Sequence, residues 1–83
     1  MKFPKIGSLV ELYWLDASHY MYANEVSRKT MDQGGDILIA SGYLVEVNKN
    51  GVALCADLNE KREPSRDVTI IPRVLVKKVY VRS

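Results

Sequence analysis

Gly42-Tyr-Leu-Val-Glu-Val-Asn-Lys-Asn-Gly-Val-Ala-Leu-Cys-Ala-Asp-Leu58 consists of two alternating apolar runs joined by Asn50-Gly51. Asn-Gly tolerates positive φ at both central positions, as a two-residue type I′ turn requires, so the stretch reads as a β-hairpin. That turn implies a register: Lys49 faces Val52, Asn48 faces Ala53, Val47 faces Leu54, Glu46 faces Cys55 and Val45 faces Ala56. One face then collects Val45, Val47, Val52, Leu54 and Ala56, and the other Leu44, Glu46, Cys55 and Asp57. Side chains alternate strictly, so a slip of one residue would bury the second set instead. The first set is the more apolar and is the expected core face.

Working outward, residues 36–48 form a strand-like run with apolar residues on both parities before Gly42 (Ile37 and Ile39 against Leu38 and Ala40). A glycine inside such a strand predicts a bulge or bend. Residues 8–16 read as a first strand, with Val10, Leu12 and Trp14 facing the core and Leu9, Glu11, Tyr13 and Leu15 on the wetter side. Beyond the hairpin, Asn59–Arg66 is a polar loop and Asp67–Ile71 a fourth strand with Val68 and Ile70 inward. Pro72 lacks an N–H and stops the ladder. Residues 73–76 fit one short turn, and Lys77–Arg82 a fifth strand with Val79 and Val81 buried. Residues 17–35 show neither a period of 2 nor a helical stripe, and end at the breaker Gly34-Gly35. A connection this long in a small domain is usually functional or mobile.

These elements predict an all-β fold in a single domain spanning residues 1–83: a five-stranded SH3-like or Sm-like small barrel with a long loop after the first strand. Closing a sheet on itself removes most exposed edges, which helps a short chain. An α+β alternative needs a helix of at least about ten residues, and only 17–33 has room for one.

Composition narrows the setting. Eighty-three residues make one small domain, and a 47% hydrophobic fraction argues against disorder. A formal net charge of +2 does not by itself name a nucleic-acid partner. The single cysteine, Cys55, rules out an internal disulfide framework and suits a reducing cytosol. No apolar run approaches the ~18 residues of a membrane span, and Met-Lys-Phe-Pro-Lys leads into the first strand without a signal-peptide apolar region. The expectation is a cytoplasmic protein with no membrane contact.

Three pieces together carry a resemblance: Trp14-Leu-Asp-Ala17, Ser41-Gly-Tyr-Leu44 and Ile71-Pro-Arg-Val-Leu-Val-Lys-Lys-Val79. The pattern resembles small uncharacterised proteins of tailed bacteriophages and prophages, which share a Trp-x-Asp/Glu-Ala/Ser element, a Ser-x-Gly strand and an Ile-Pro-x₃-Val-x₂-Val ending. Where those proteins often carry a second tryptophan, this chain has Tyr20 and Tyr22. Gly42, Leu44 and Asn48 are also similar to the first motif of the Sm fold. The second Sm motif is missing, with Thr69-Ile-Ile-Pro72 in its place, so the uridine-binding loop is not carried over. The phage resemblance implies an accessory role in a host-cell cytosol and transfers no catalytic residue.

Candidate chemistry is sparse. Asp16, Ser18 and His19 lie within four residues, but triad geometry is assembled in space and neighbours on one loop rarely align. Asp16 and Ser18 are better read as ending the first strand by bonding local backbone N–H groups. One His and one Cys cannot complete a closed zinc site of about four ligands, so no metal or cofactor is expected. Cys55 reads as a semi-buried space-filler away from the main core. Lys78, Tyr80 and Arg82 alternate outward on the last strand, with Arg73, Lys77 and Arg66 near in sequence. Basic side chains interleaved with an aromatic suit phosphate contact and base stacking, while charges on an edge strand also guard against aggregation. Tyr20, Met21, Tyr22 and Met31 form the other candidate surface, either a protein interface or a cap on an open barrel end.

The resulting expectation is a non-enzymatic phage accessory binding module acting by protein interaction and self-association as a homo-oligomer, with a host protein among its partners. The alternative is a nucleotide- or RNA-binding protein, an anti-defence sponge, using the basic-aromatic strand.

Overall fold

The computed structural model describes residues 1–17 and 34–83. Its strands are β1 (Leu9–Asp16), β2 (Asp36–Val47), β3 (Gly51–Cys55), β4 (Asp57–Leu58), β5 (Pro64–Arg66), β6 (Thr69–Pro72) and β7 (Val76–Val81). A single 3-10 turn, Arg73–Leu75, links β6 to β7. Five strands form one antiparallel sheet in the order β6-β3-β2-β1-β7, and β4 pairs with β5 in a small separate ribbon. The described residues are therefore all-β. The expected barrel closure is not seen: β6 and β7 end the sheet on opposite sides and do not pair.

Alternation along β1 builds the centre of the core. Val10 and Leu12 are fully buried on one face, and Trp14 packs partly buried against the same cluster. Leu44, Val52, Leu54, Ile71 and Val76 complete the cluster, with Phe3, Ala40, Val47 and Val79 around it. Burying a side chain of this kind contributes about 1.5–3 kcal/mol. Gly42 lies opposite Val10, where a Cβ would stand 2.7 Å from the carbonyl oxygen of Cys55. The position is one of close backbone approach, and the ladder's register shift falls just beyond it, between Leu44 and Glu46.

The hairpin differs from the expected one. Neither Asn50 nor Gly51 has positive φ. The Asn48 side-chain oxygen instead accepts the N–H groups of Asn50 at 2.8 Å and Gly51 at 3.1 Å, and Asn48 N–H donates to the Gly51 carbonyl. The central residues are thus Lys49 and Asn50, with Asn first and Gly last, the preference of a type I rather than a type I′ turn. Val47 pairs with Val52 rather than Leu54, and Glu46 with Ala53 rather than Cys55. Such a turn fits strand twist poorly, and the ladder absorbs the mismatch with a register shift between Leu44 and Glu46. The extra residue at Val45 reverses the faces below it. Leu44 is buried in the core, and Val45 is only partly covered.

Other expectations are corrected in the same way. Ile71 is the buried residue of β6, while Val68 and Ile70 are 52% and 72% exposed. Pairing decides this, because Ile71 lies opposite the core residue Val52 and Ile70 lies opposite outward Ala53. Val79 is partly buried as expected, but Val81 is exposed at the end of the sheet. Cys55 is buried, and its thiol donates to the Asp57 carbonyl. The polar stretch 59–66 is a structured corner: Asn59 Oδ1 accepts the N–H groups of Lys61 and Glu63, each at 2.9 Å, and Arg62 sits at φ 64°.

Candidate functional site

Antiparallel pairing of β7 with β1 determines which side chains share the outer sheet face. Lys78 lies opposite Tyr13, and Tyr80 opposite Glu11, with a register shift where Lys77 stands as the extra residue. Lys78, Tyr80 and Arg82 are all exposed, so the expected outward row exists. Two of its three members are already engaged. Tyr80 meets Tyr13 edge to face, with ring centroids 5.5 Å apart and planes at 80°. Arg82 Nη2 donates to Glu11 Oε1 at 2.5 Å. The Arg82 hydrogen bond holds the Glu11 carboxyl below its ordinary range, against desolvation and with a lesser contribution from the Arg82 charge, and the same bond raises Arg82. A phosphate would have to compete with Glu11 for Arg82, and a base would have to displace or extend the Tyr13–Tyr80 pair.

Lys77 and Lys78 have no acidic partner among the described residues. Arg73 does not join the row. It lies in the 3-10 turn with its guanidinium carbon 4.4 Å from the centroid of the Phe3 ring, a cation–π contact that fastens the N-terminal segment over the core. Arg66 is paired with Asp57 across the β4–β5 ribbon. Tyr20, Met21, Tyr22 and Met31 lie outside the described residues, as do Ser18 and His19. Asp16 accepts the N–H of Ala17 at 2.9 Å, the strand-ending role expected of it. Among the described residues, no group of three or more His, Cys, Asp or Glu side chains is arranged to hold a metal ion, and no helix is long and apolar enough to cross a membrane.

Sequence reasoning missed the partners of the row, Glu11 and Tyr13. Their outward parity on β1 was legible; the pairing of first and last strands that brings them to Tyr80 and Arg82 was not drawn. It also missed the exposed apolar side chains. Ile37, Leu38 and Ile39 follow one another at the start of β2, all exposed, and Val68, Ile70 and Val74 are exposed on and around β6. A shallow groove floored by Gly51 and Ala53 lies between Glu46 and Ile70 on the outer face.

No protein-family model matches the chain, and no curated protein or solved structure does either.

Proposed function

We propose that the chain is a non-enzymatic binding module, a phage accessory protein of SH3-like or Sm-like type, that acts by protein interaction and self-association in the host cytosol. The strand order β6-β3-β2-β1-β7, with a 3-10 turn before the last strand, supports the relation to small barrels even though the sheet stays open. The observation that carries the reading is the run Ile37, Leu38 and Ile39. These consecutive large apolar side chains are 43%, 40% and 58% exposed, with Ile37 and Ile39 side by side on one face of β2. Contiguous exposed apolar surface of this kind marks interaction sites.

A second reading, a nucleotide- or RNA-binding protein, is favoured by Lys77 and Lys78, which have no acidic partner among the described residues and lie on the same strand as Tyr80 of the Tyr13–Tyr80 pair. One experiment separates the two. Native mass spectrometry of the purified protein, with light scattering over a concentration series, is expected to give assemblies of the chain and no retained nucleotide. Retained nucleotide mass on a monomer would replace the first reading with the second.

A further inference from the structure

We propose that the free edge of β6 pairs antiparallel with β6 of a second copy about a two-fold axis at Ile70. This rests on the self-association reading above and assigns it to the β6 edge, a surface separate from residues 37–39.

The two sheet edges are not equivalent. β7 carries Lys77 and Lys78, and self-pairing there would bring like charges together, a common guard on an edge strand. β6, Thr69-Ile-Ile-Pro72, has no charged side chain, and in the described residues only β3 pairs with it. Its outward row is apolar: Val68, Ile70 and Pro72 are exposed, and Val74 beyond the strand is 82% exposed.

Backbone polarity gives the pairing its axis. Arg73 N–H donates to the Asn50 carbonyl at 3.0 Å, in register with Gly51 opposite Pro72. Bonded and non-bonded pairs alternate along an antiparallel ladder. Ile71 and Thr69 therefore direct their amides and carbonyls to β3, while Ile70 and Pro72 present theirs at the free edge. Ile70 opposite Ile70 of a second copy makes two N–H···O=C bonds, and the Pro72 carbonyl accepts from Val68 on either side. Pro72 lacks an N–H only where the β3 ladder does not need one.

Charge selects the antiparallel sense. Asp67 precedes the strand and Arg73 follows it. Antiparallel self-pairing brings each acidic end to the basic end of the other copy, whereas parallel pairing would oppose like charges. The partner that fits this edge is the same strand. A contact four residues long is at the small end of specific interfaces, so the dimer is expected to be concentration-dependent.

Sedimentation equilibrium from micromolar to millimolar concentration tests this. Ile70→Pro removes the edge N–H without touching the β3 ladder, and Ile70→Lys places two charges across the axis; circular dichroism melts check that each variant is folded. The parent is expected to dimerise, and both variants to lower the association constant by about tenfold or more. Lys77→Ala and Lys78→Ala are expected to leave it unchanged. If folded Ile70→Pro and Ile70→Lys associate like the parent, β6 pairing is wrong and self-association uses another surface. If the parent stays monomeric throughout, self-association fails with it.

Discussion

Arg82 donates to Glu11 at 2.5 Å across the β1–β7 ladder, so the most distal cation of the basic row is bound within the protein before any ligand arrives. Arg82 N–H also donates to the Leu9 carbonyl at 2.7 Å, which anchors the end of β7 beside β1. The bridge reads first as a clasp.

A pH dependence follows from the direction of the Glu11 shift. A carboxyl whose folded pKa is depressed contributes stability that is present above its unfolded pKa and lost as pH falls through the folded one. The Arg82 hydrogen bond holds the folded Glu11 carboxyl below its ordinary range. The melting-temperature difference between parent and Glu11→Gln is therefore expected at neutral pH, should begin to shrink as pH falls through the ordinary glutamate range, and should vanish once the folded carboxyl is protonated. It should also shrink with added salt, since the pair is solvent-exposed. A difference that persists in strong acid would assign the effect to packing.

The same variant bears on nucleic-acid binding. Freeing Arg82 should strengthen binding of a short single-stranded oligonucleotide if the row contacts phosphates, and should steepen its salt dependence by about 0.7 in log–log slope. Lys78→Ala should flatten the slope by a similar amount. No measurable binding at low salt by parent or Glu11→Gln leaves the row as edge protection and clasp.

Gly42 is expected to resist even alanine. The added Cβ would lie 2.7 Å from the Cys55 carbonyl oxygen and 3.3 Å from Leu54 Cβ. Forcing β2 and β3 apart there should cost about 1–3 kcal/mol, readable in urea unfolding. An unchanged midpoint would show that the strands are not so close.

The face assignment of β6 is tested by adjacent residues. Ile71 is 1% exposed and Ile70 72% exposed. Ile71→Ala should cost about 2–5 kcal/mol, and Ile70→Ala less than about 0.5 kcal/mol. Equal effects, or the reverse order, would restore the inward Ile70 that alternation alone suggests.

Much of this architecture was legible in the sequence, and the exceptions have physical causes. Val10 and Leu12 read as core because Glu11 between them marks the wet face. Pro72 is the last residue of β6, but its missing N–H is not what stops the ladder, which continues to the Arg73 N–H and the Asn50 carbonyl. The hairpin was placed within one residue, since Asn and Gly did mark a turn. Its type was missed because Asn48, not Asn50, holds the turn through its side chain. The bulge at Val45 carries no glycine to announce it, yet it decides that Leu44 rather than Val45 enters the core. In 68–71 apolar residues occupy both parities, so alternation could not choose between Ile70 and Ile71; pairing with Val52 did. The outward row on β7 was found from sequence. Its engagement by Glu11 and Tyr13 required knowing that the first and last strands are neighbours.

Residue-resolved amide hydrogen exchange at increasing protein concentration tests self-association through β6 most directly. The Ile71 amide, bonded to β3, should be protected at every concentration. The Ile70 amide should exchange freely in dilute solution and become protected as the protein is concentrated, and Ile70→Lys should abolish that change at the amides of residues 68 and 70. An Ile70 amide that exchanges at the same rate in dilute and concentrated protein would contradict pairing at this edge.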